Sequence, residues 1–233
     1  MKVRSLAIIP ARGGSKRIPR KNIKNFLGVP IIKYSIDAAL KSGCFDEVMV
    51  STEDKEIAEL AKSLGATIPF FRSEKTSDDH STIVDVSEEV VIEYKKMGKE
   101  FDFFCCIFPT APFITSKRLK EGFDLLIKTG ADSVVPVVSY GAPIEWAMKI
   151  ESGRLKMLWP ETVFIRSQDL EPRYYDVGQF FWSKPNVLLS QKKLIANDSA
   201  PIEVPEMEVQ DIDTEEDWKM AELKYKRLNF YGE

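Results

Sequence analysis

Four short apolar runs, each closed by a proline or a polar residue, alternate with stretches of helical periodicity, and this rhythm constrains the fold more than any other feature of the chain. Leu6-Ala7-Ile8-Ile9 ends at Pro10, Glu47 to Ser51 carries Val48-Met49-Val50, Phe103 to Phe108 ends at Pro109, and Val134 to Val138 forms the fourth. Runs this short and this apolar suit strands buried on both faces. Between them, Ile31 to Leu40 reads as a helix. Ile57, Leu60, Ala61 and Leu64 recur at helical spacing, with a capping box expected over Ser51 to Asp54 and a stop at Gly65. Ile83, Val86, Val90, Tyr94 and Met97 mark a longer helix, and Leu119, Phe123, Leu126 and Ile127 another. Thr67 to Phe71 is a further short strand. Strands separated by helices of ten or more residues require crossovers, so the expectation is an α/β fold with a doubly wound, mostly parallel sheet.

The rhythm breaks between Tyr140 and about Tyr175, where Gly141, Pro143, Gly153, Pro160 and Pro172 accompany Trp146 and Trp159 without a helical pattern. An insertion of short strands is the simplest reading, and its tryptophans either meet a partner or fold back on the domain. Regular structure returns at Gln179 to Trp182, at Val209 to Asp213 and in a terminal helix from Thr214 to Leu228. At ~150 residues per domain, the length of 233 residues allows one domain with an insertion or two small ones.

No run approaches the ~18 apolar residues of a membrane span. The apolar stretch Ser5 to Pro10 is too short for a signal-peptide core. A soluble, cytoplasmic protein is expected. The three cysteines, Cys44, Cys105 and Cys106, have no Cys-x-x-Cys spacing, which favours buried, reduced thiols. One histidine, His80, excludes a histidine-rich metal site and leaves a serine hydrolase only that residue as base.

Charge is unevenly distributed. Residues 1–36 hold nine of the 33 Lys and Arg and none of the 36 Asp and Glu, although the whole chain nets only −3. A basic segment on an acidic body points to a local anion site, and the overall balance argues against nucleic-acid binding. The basic segment centres on Ala11-Arg12-Gly13-Gly14-Ser15-Lys16-Arg17-Ile18-Pro19-Arg20-Lys21-Asn22, just after the first strand, where doubly wound sheets bind ligands. Two glycines allow backbone N–H groups to approach an anion. Arg12, Lys16, Arg17, Arg20 and Lys21 repel one another unless solvated or countered by something like a triphosphate. The spacing is neither a Walker A loop nor a dinucleotide fingerprint. By charge alone, a phosphate cradle and a solvated basic loop remain equally good readings.

Near the other terminus stands Asp211-Ile212-Asp213-Thr214. In an extended segment Asp211 and Asp213 share a face, and paired carboxylates with phosphate oxygens suit Mg²⁺. Asp213 or Thr214 also reads as a helix cap, which leaves Asp211 unexplained.

Together these segments resemble the CMP-sialic acid synthetase family of cytidylyltransferases. Ile9 to Asn22 is similar to its nucleotide-binding motif. Val50-Ser51-Thr52-Glu53-Asp54, Pro69-Phe70-Phe71-Arg72, Ser77-Asp78-Asp79, Pro109-Thr110-Ala111-Pro112 and Asp211 to Thr214 follow in the family's order over essentially the whole chain. Ile165 to Leu170 and Arg173 to Trp182 most resemble the pseudaminic-acid branch. The resemblance implies one Rossmann-like nucleotidyltransferase domain over residues 1–233, with a dimerisation arm at about 140–175 that crosses into the neighbour of a homodimer.

It also implies a reaction: CTP and a nine-carbon α-keto sugar acid give the CMP-sugar and diphosphate. By motif, Ala11, Arg12, Gly13, Gly14, Ser15 and Lys16 would bind the nucleotide. Arg12, Lys16 and Lys21 would hold the triphosphate and its leaving group, and Asn22 would contact the nucleotide. Arg72 and Ser81 would lie near the cytosine, and Asp211 and Asp213 would bind Mg²⁺. With no histidine base, metal coordination is expected to acidify the attacking hydroxyl. Phe108 and Ile114 stand where many sialic acid members carry Gln and Arg, which fits a sugar with a deoxy methyl group or simple packing. Arg166, Gln168, Tyr174 and Gln179 are candidates for sugar contacts, with surface or dimer roles as the alternative; Arg166 suits a carboxylate. Activation of neuraminic, legionaminic or 3-deoxy-manno-octulosonic acid, and a non-catalytic nucleotide-binding protein, remain the competing functions.

Overall fold

The computed structural model describes residues 3–230. The first strand, β1 (Ser5–Pro10), is buried along its whole length because it runs between two parallel neighbours with helices on both sides. A tight two-stranded turn, β2 (Asn25–Phe26) and β3 (Val29–Pro30), leads into α1 (Ile32–Ser42), which ends at Gly43 in the left-handed region. Then come β4 (Glu47–Ser51), α2 (Lys55–Ser63), α3 (Ile83–Lys96), β5 (Phe103–Ile107), α4 (Ser116–Thr129) and β6 (Ser133–Ser139). The irregular segment contributes the hairpin β7 (Met148–Glu151) and β8 (Arg154–Met157). The chain closes with β9 (Tyr174–Asp176), β10 (Phe180–Ser183), α5 (Pro185–Gln191), β11 (Ser199–Glu203) and α6 (Glu215–Phe230).

The central sheet has the order β11-β6-β10-β5-β1-β4. β1 is parallel to β4 and β5, and β11 to β6, as crossover helices require. The expected mostly parallel sheet is corrected to a mixed one, because β10 is inserted antiparallel between β5 and β6. The reason lies in the chain's route. After the irregular segment no crossover helix intervenes, so β9 and β10 return antiparallel along β6 as one interrupted strand. Trp182 stands six positions after Asp176 while their partners Val134 and Val137 stand three apart, and Gly178 at φ 61° lies in that break.

Strand alternation divides the core into two faces. Ala7, Ile9, Val50, Cys105, Ile107 and Trp182 pack against α1, α2 and α4, while Leu6, Ile8, Met49, Cys106 and Phe181 pack against α3 and α5. Trp182 is fully buried, donates its indole N–H to the Leu119 carbonyl at 3.0 Å and stacks on Phe45 at 4.9 Å. Burial of one such side chain stabilises by ~1.5–3 kcal/mol. A third, smaller cluster joins Ile18 and Phe26 to Ile212, Trp218 and Ala221, and so seats the basic loop against the start of α6.

Three local expectations change. Val209 to Asp213, expected to be regular, forms neither strand nor helix, since it pairs with no strand of the sheet. The cap of α2 is Asp54, whose carboxylate accepts from the Ile57 N–H at 3.0 Å. Ser51 remains in β4, where its carbonyl takes the Ala11 N–H. Thr67 to Phe71 is reduced to a single bridge between Thr67 and Met49. Residues 140–175 do hold short strands: the β7–β8 hairpin is exposed, with Ile150 at 77% and Leu155 at 69%, and Phe164 in the following loop is 95% exposed. No helix among the described residues is long and apolar enough to cross a membrane.

Candidate active site

The site begins where β1 runs out. Pro10 and Ala11 stay buried beside β4, and Asn22 folds the following loop back on itself by donating its side-chain amide to the Arg12 carbonyl at 2.8 Å. That bond explains why Asn22 is only 6% exposed. The Gly13 N–H is taken by Glu53 Oε1 at 2.6 Å, and Gly14 has open space around it. Arg20, at φ 55°, turns the chain into a short helical turn over Lys21–Ile23.

Lys21 then reaches across the molecule. Its ammonium donates to the Ile212 carbonyl at 2.6 Å and lies 3.4 Å from Asp213 Oδ1. Arg17 donates to the same oxygen at 2.7 Å. The amino-terminal cations and the carboxy-terminal acids therefore meet. With Arg72, Asp78, Asp79, Ser81 and Phe108 they line one cleft of about 430 Å³ that contains Arg12, Ser15, Lys16, Lys21, Asn22, Asp211 and Asp213.

Each cation of this cleft has a counter-charge or a carbonyl. Arg12 pairs with Asp79 at 3.0 Å and with the Asp78 carbonyl at 3.1 Å, and Lys16 pairs closely with Asp79. The Lys16 ammonium, with Arg12 beside it, holds the Asp79 carboxyl below the usual carboxylate range. Arg72 is 7% exposed, with Nε on the Ser51 hydroxyl and Nη2 on the Ser51 carbonyl. Burial lowers its pKa, yet a guanidinium remains charged at neutral pH. The Ser81 hydroxyl is held by Asp78 at 2.6 Å and by the Lys75 carbonyl at 3.0 Å. His80 lies in the same exposed turn, outside the cleft lining.

Thr214 caps α6: its hydroxyl accepts from the Asp217 N–H while Asp217 accepts from the Thr214 N–H. This reciprocal box leaves Asp211 and Asp213 free of capping duty. Among the described residues no hydrogen bond or ion pair engages the Asp211 carboxylate, and no group of three or more His, Cys, Asp or Glu is arranged to hold a metal ion. Two hard oxygen donors lining one cleft, Asp211 unpaired and Asp213 shared with Arg17 and Lys21, are of the type that suits Mg²⁺, which takes its remaining ligands from substrate and water oxygens.

A second hollow of about 450 Å³ shares Phe108 and Asp211 with the first and adds Tyr175, Asp176, Gln210 and Lys224. Sequence reasoning named none of these as site residues, although Tyr175 and Asp176 lie in the segment Arg173 to Trp182 that carries the resemblance and Gln210 is next to Asp211. The proposed sugar contacts lie elsewhere. Arg166 forms a bidentate pair with Asp169, Gln168 is exposed, and Tyr174 faces Glu203. Gln179 is buried and donates to the Glu208 carbonyl at 2.6 Å, which pins the segment leading to Asp211. None of the four lines either hollow within the single chain.

Comparison with known proteins adds a family. The cytidylyltransferase family profile matches residues 6–149. A pseudaminic acid cytidylyltransferase of Campylobacter jejuni is 36% identical over 225 residues, covering 96% of this chain and 97% of its own. A CMP-N,N'-diacetyllegionaminic acid synthase of Legionella pneumophila is 33% identical, covering 97% of this chain and 98% of its own. Among solved structures, a CMP:2-keto-3-deoxy-manno-octonic acid synthetase complexed with CTP has a TM-score of 0.69 at 15% identity, covering 97% of this chain and 99% of the other, which is a likeness of fold.

Proposed function

This chain belongs to the cytidylyltransferase family, and on that premise we propose that it activates a nine-carbon sugar acid, pseudaminic acid, by transfer of CMP from CTP with release of diphosphate. The observation that carries the proposal is the single cleft in which the basic loop of the amino terminus faces Asp211 and Asp213. The choice of sugar is supported by the pseudaminic acid enzyme that is 36% identical and matched along almost its whole length; a neuraminic acid enzyme of equal identity is matched over only 52% of its own length, and the legionaminic acid enzyme is 33% identical.

In this reading the loop from Ala11 to Lys16 wraps the triphosphate, with Gly13 and Gly14 allowing close backbone approach. Arg12, Lys16 and Lys21 exchange their present carboxylate and carbonyl partners for phosphate oxygens. Arg72 and Ser81 flank the base, and Asn22 shapes the loop around the nucleotide. The sugar's anomeric hydroxyl attacks the α-phosphorus and gives up its proton to solvent, and the bond from that phosphorus to the oxygen bridging to the β-phosphate breaks. Negative charge gathers on the departing diphosphate, where Lys21 and Arg12, once turned from their present partners, stabilise it. Asp211 and Asp213 would hold Mg²⁺, which when bound supplies positive charge to the phosphate oxygens. The sugar occupies the adjoining hollow beside Phe108 and Asp211.

The chain is further proposed to form a homodimer through the exposed apolar hairpin and Phe164. Arg166 and Gln168, remote from their own cleft, then reach the neighbour's sugar, while Tyr174 and Gln179 support the strand beneath it. A monomeric wild type in sedimentation would overturn this part.

The decisive assay follows diphosphate release from CTP and Mg²⁺ with pseudaminic, legionaminic and neuraminic acids in turn. The highest kcat/KM is expected with pseudaminic acid. A higher value with another acid reassigns the substrate, and no release with any of them, or with 3-deoxy-manno-octulosonic acid, overturns the enzymatic reading.

A further inference from the structure

Five basic side chains crowd the loop from Arg12 to Lys21, but one of them leaves the cleft. Arg20 is absent from its lining. Its guanidinium instead forks onto both oxygens of Asp54, the longer contact being 3.1 Å, and onto Glu56 at 2.6 Å. It does so from the left-handed region at φ 55°, a backbone state disfavoured for any residue with a Cβ.

The other end of the loop meets the same turn, residues 53–56, at the start of α2. Glu53, next to Asp54, accepts the Gly13 N–H at 2.6 Å. A Cβ placed on Gly13 would collide with Asp54 Oδ2, so the backbone at Gly13 lies directly against this carboxylate. Asp54 is itself fixed, since it caps α2 through the Ile57 N–H. The Arg20 guanidinium keeps the Asp54 carboxyl below its ordinary range, so it is ionised at neutral pH.

Resting on the nucleotide-binding role proposed for the cleft, we propose that Glu53, Asp54 and Arg20 form a clasp that positions the phosphate loop, with Arg20 acting as a positioning residue and not as a phosphate ligand. The clasp ties Gly13 and Arg20 to the rigid amino terminus of α2. Arg12 and Lys21, the residues adjacent to those two anchors, are thereby presented to the cleft from opposite ends of the loop. Arg–carboxylate forks suit this task because they fix orientation as well as distance.

The clasp and a direct phosphate contact predict opposite effects at Asp54. If Arg20 bound phosphate, removing the Asp54 charge would free the cation and leave CTP binding equal or tighter. If Arg20 positions the loop, Asp54→Asn weakens binding while its amide oxygen still caps α2. The experiment measures CTP affinity by calorimetry, steady-state kinetics and hydrogen exchange of the Gly13 to Lys16 amides in wild type, Arg20→Gln, Arg20→Lys, Asp54→Asn and the Arg20→Gln/Asp54→Asn double variant. Expected are a CTP KM at least 10-fold higher and faster loop exchange in Arg20→Gln and Asp54→Asn, a smaller change in Arg20→Lys, and no added loss in the double variant. Unchanged or tighter CTP binding in Asp54→Asn, additive losses in the double variant, or unaltered loop exchange would each overturn the clasp. Wild type that releases no diphosphate would sink the enzymatic reading alone, since loop exchange still reports on the clasp.

Discussion

Lys21 Nζ donates a hydrogen bond to the Ile212 carbonyl oxygen at 2.6 Å, across 191 residues of chain, and so sets the basic loop beside the two acids that flank Ile212. Its side chain is 19% exposed, so the contact is partly shielded from water and competing ions. The same ammonium that fastens the loop is proposed to meet the leaving diphosphate. Lys21→Met should lower kcat by about 10²-fold or more, the usual scale for losing one preplaced donor, with a folded protein by circular dichroism. Wild-type kcat in that variant would remove Lys21 from the leaving-group role.

Asp211 is exposed and lacks a partner among the described residues, so its loss has little structural consequence. Asp211→Ala should leave thermal stability within about 0.5 kcal/mol, as for other unpartnered surface positions, while abolishing Mg²⁺-dependent diphosphate release. Near-normal activity would refute the metal-binding assignment.

Gly13 and Gly14 are equivalent by composition and different in space. A methyl at Gly13 meets Asp54, while one at Gly14 meets nothing within 4 Å. Gly13→Ala should therefore destabilise by about 1–3 kcal/mol, the range for forced overpacking, and weaken CTP binding. Gly14→Ala should keep wild-type stability. Denaturant melts of the two variants check the contrast, and equal behaviour would contradict it.

The thiols give a pH-linked test. Burial pushes the Cys106 thiol up to about 12 and raises Cys105 well above its ordinary value, while desolvation also raises half-buried Cys44. At pH 8 a thiol with pKa about 12 is roughly 10⁻⁴ thiolate, so a disulfide reagent should leave Cys105 and Cys106 unmodified in the native protein and modify all three cysteines in denaturant. Because the neutral form is favoured when folded, stability from Cys106 is intact below about pH 9 and declines as pH rises from there toward 12. Fast native labelling of Cys106 would show that the sheet opens there.

Phe164, beyond the exposed hairpin, offers a separate check on assembly. Phe164→Glu should shift the mass measured by light scattering from dimer to monomer without loss of helix content. A dimer that persists would place the interface elsewhere.

Much of the fold was legible because buried parallel strands and amphipathic helices write their periods into the chain. β1, β4, β5 and β6, with α1 to α4, lie where apolar runs and helical spacing put them. β11 escaped notice because Ser199-Ala200-Pro201-Ile202-Glu203 has little apolar pattern, as expected of an edge strand that tolerates proline. The direction of β10 was also hidden, since Phe180-Phe181-Trp182 is equally apolar either way up. Only the uncrossed return along β6 makes it antiparallel.

At the cleft, the residue types near both termini suggested a candidate anion site and a candidate cation site, because charge and backbone freedom are properties of the sequence itself, and the fold brings the two segments to one cleft. Which cations face that site was a matter of tertiary structure. Arg20 and Lys21 are neighbours of like charge, yet a left-handed turn at Arg20 sends one guanidinium to Asp54 at the cap of α2 and the next ammonium to Ile212 before α6. The amino acids set the available chemistry; the packing of distant helices against one loop decided where each charge points, since a side chain's direction depends on backbone torsion and on partners that the local sequence does not contain.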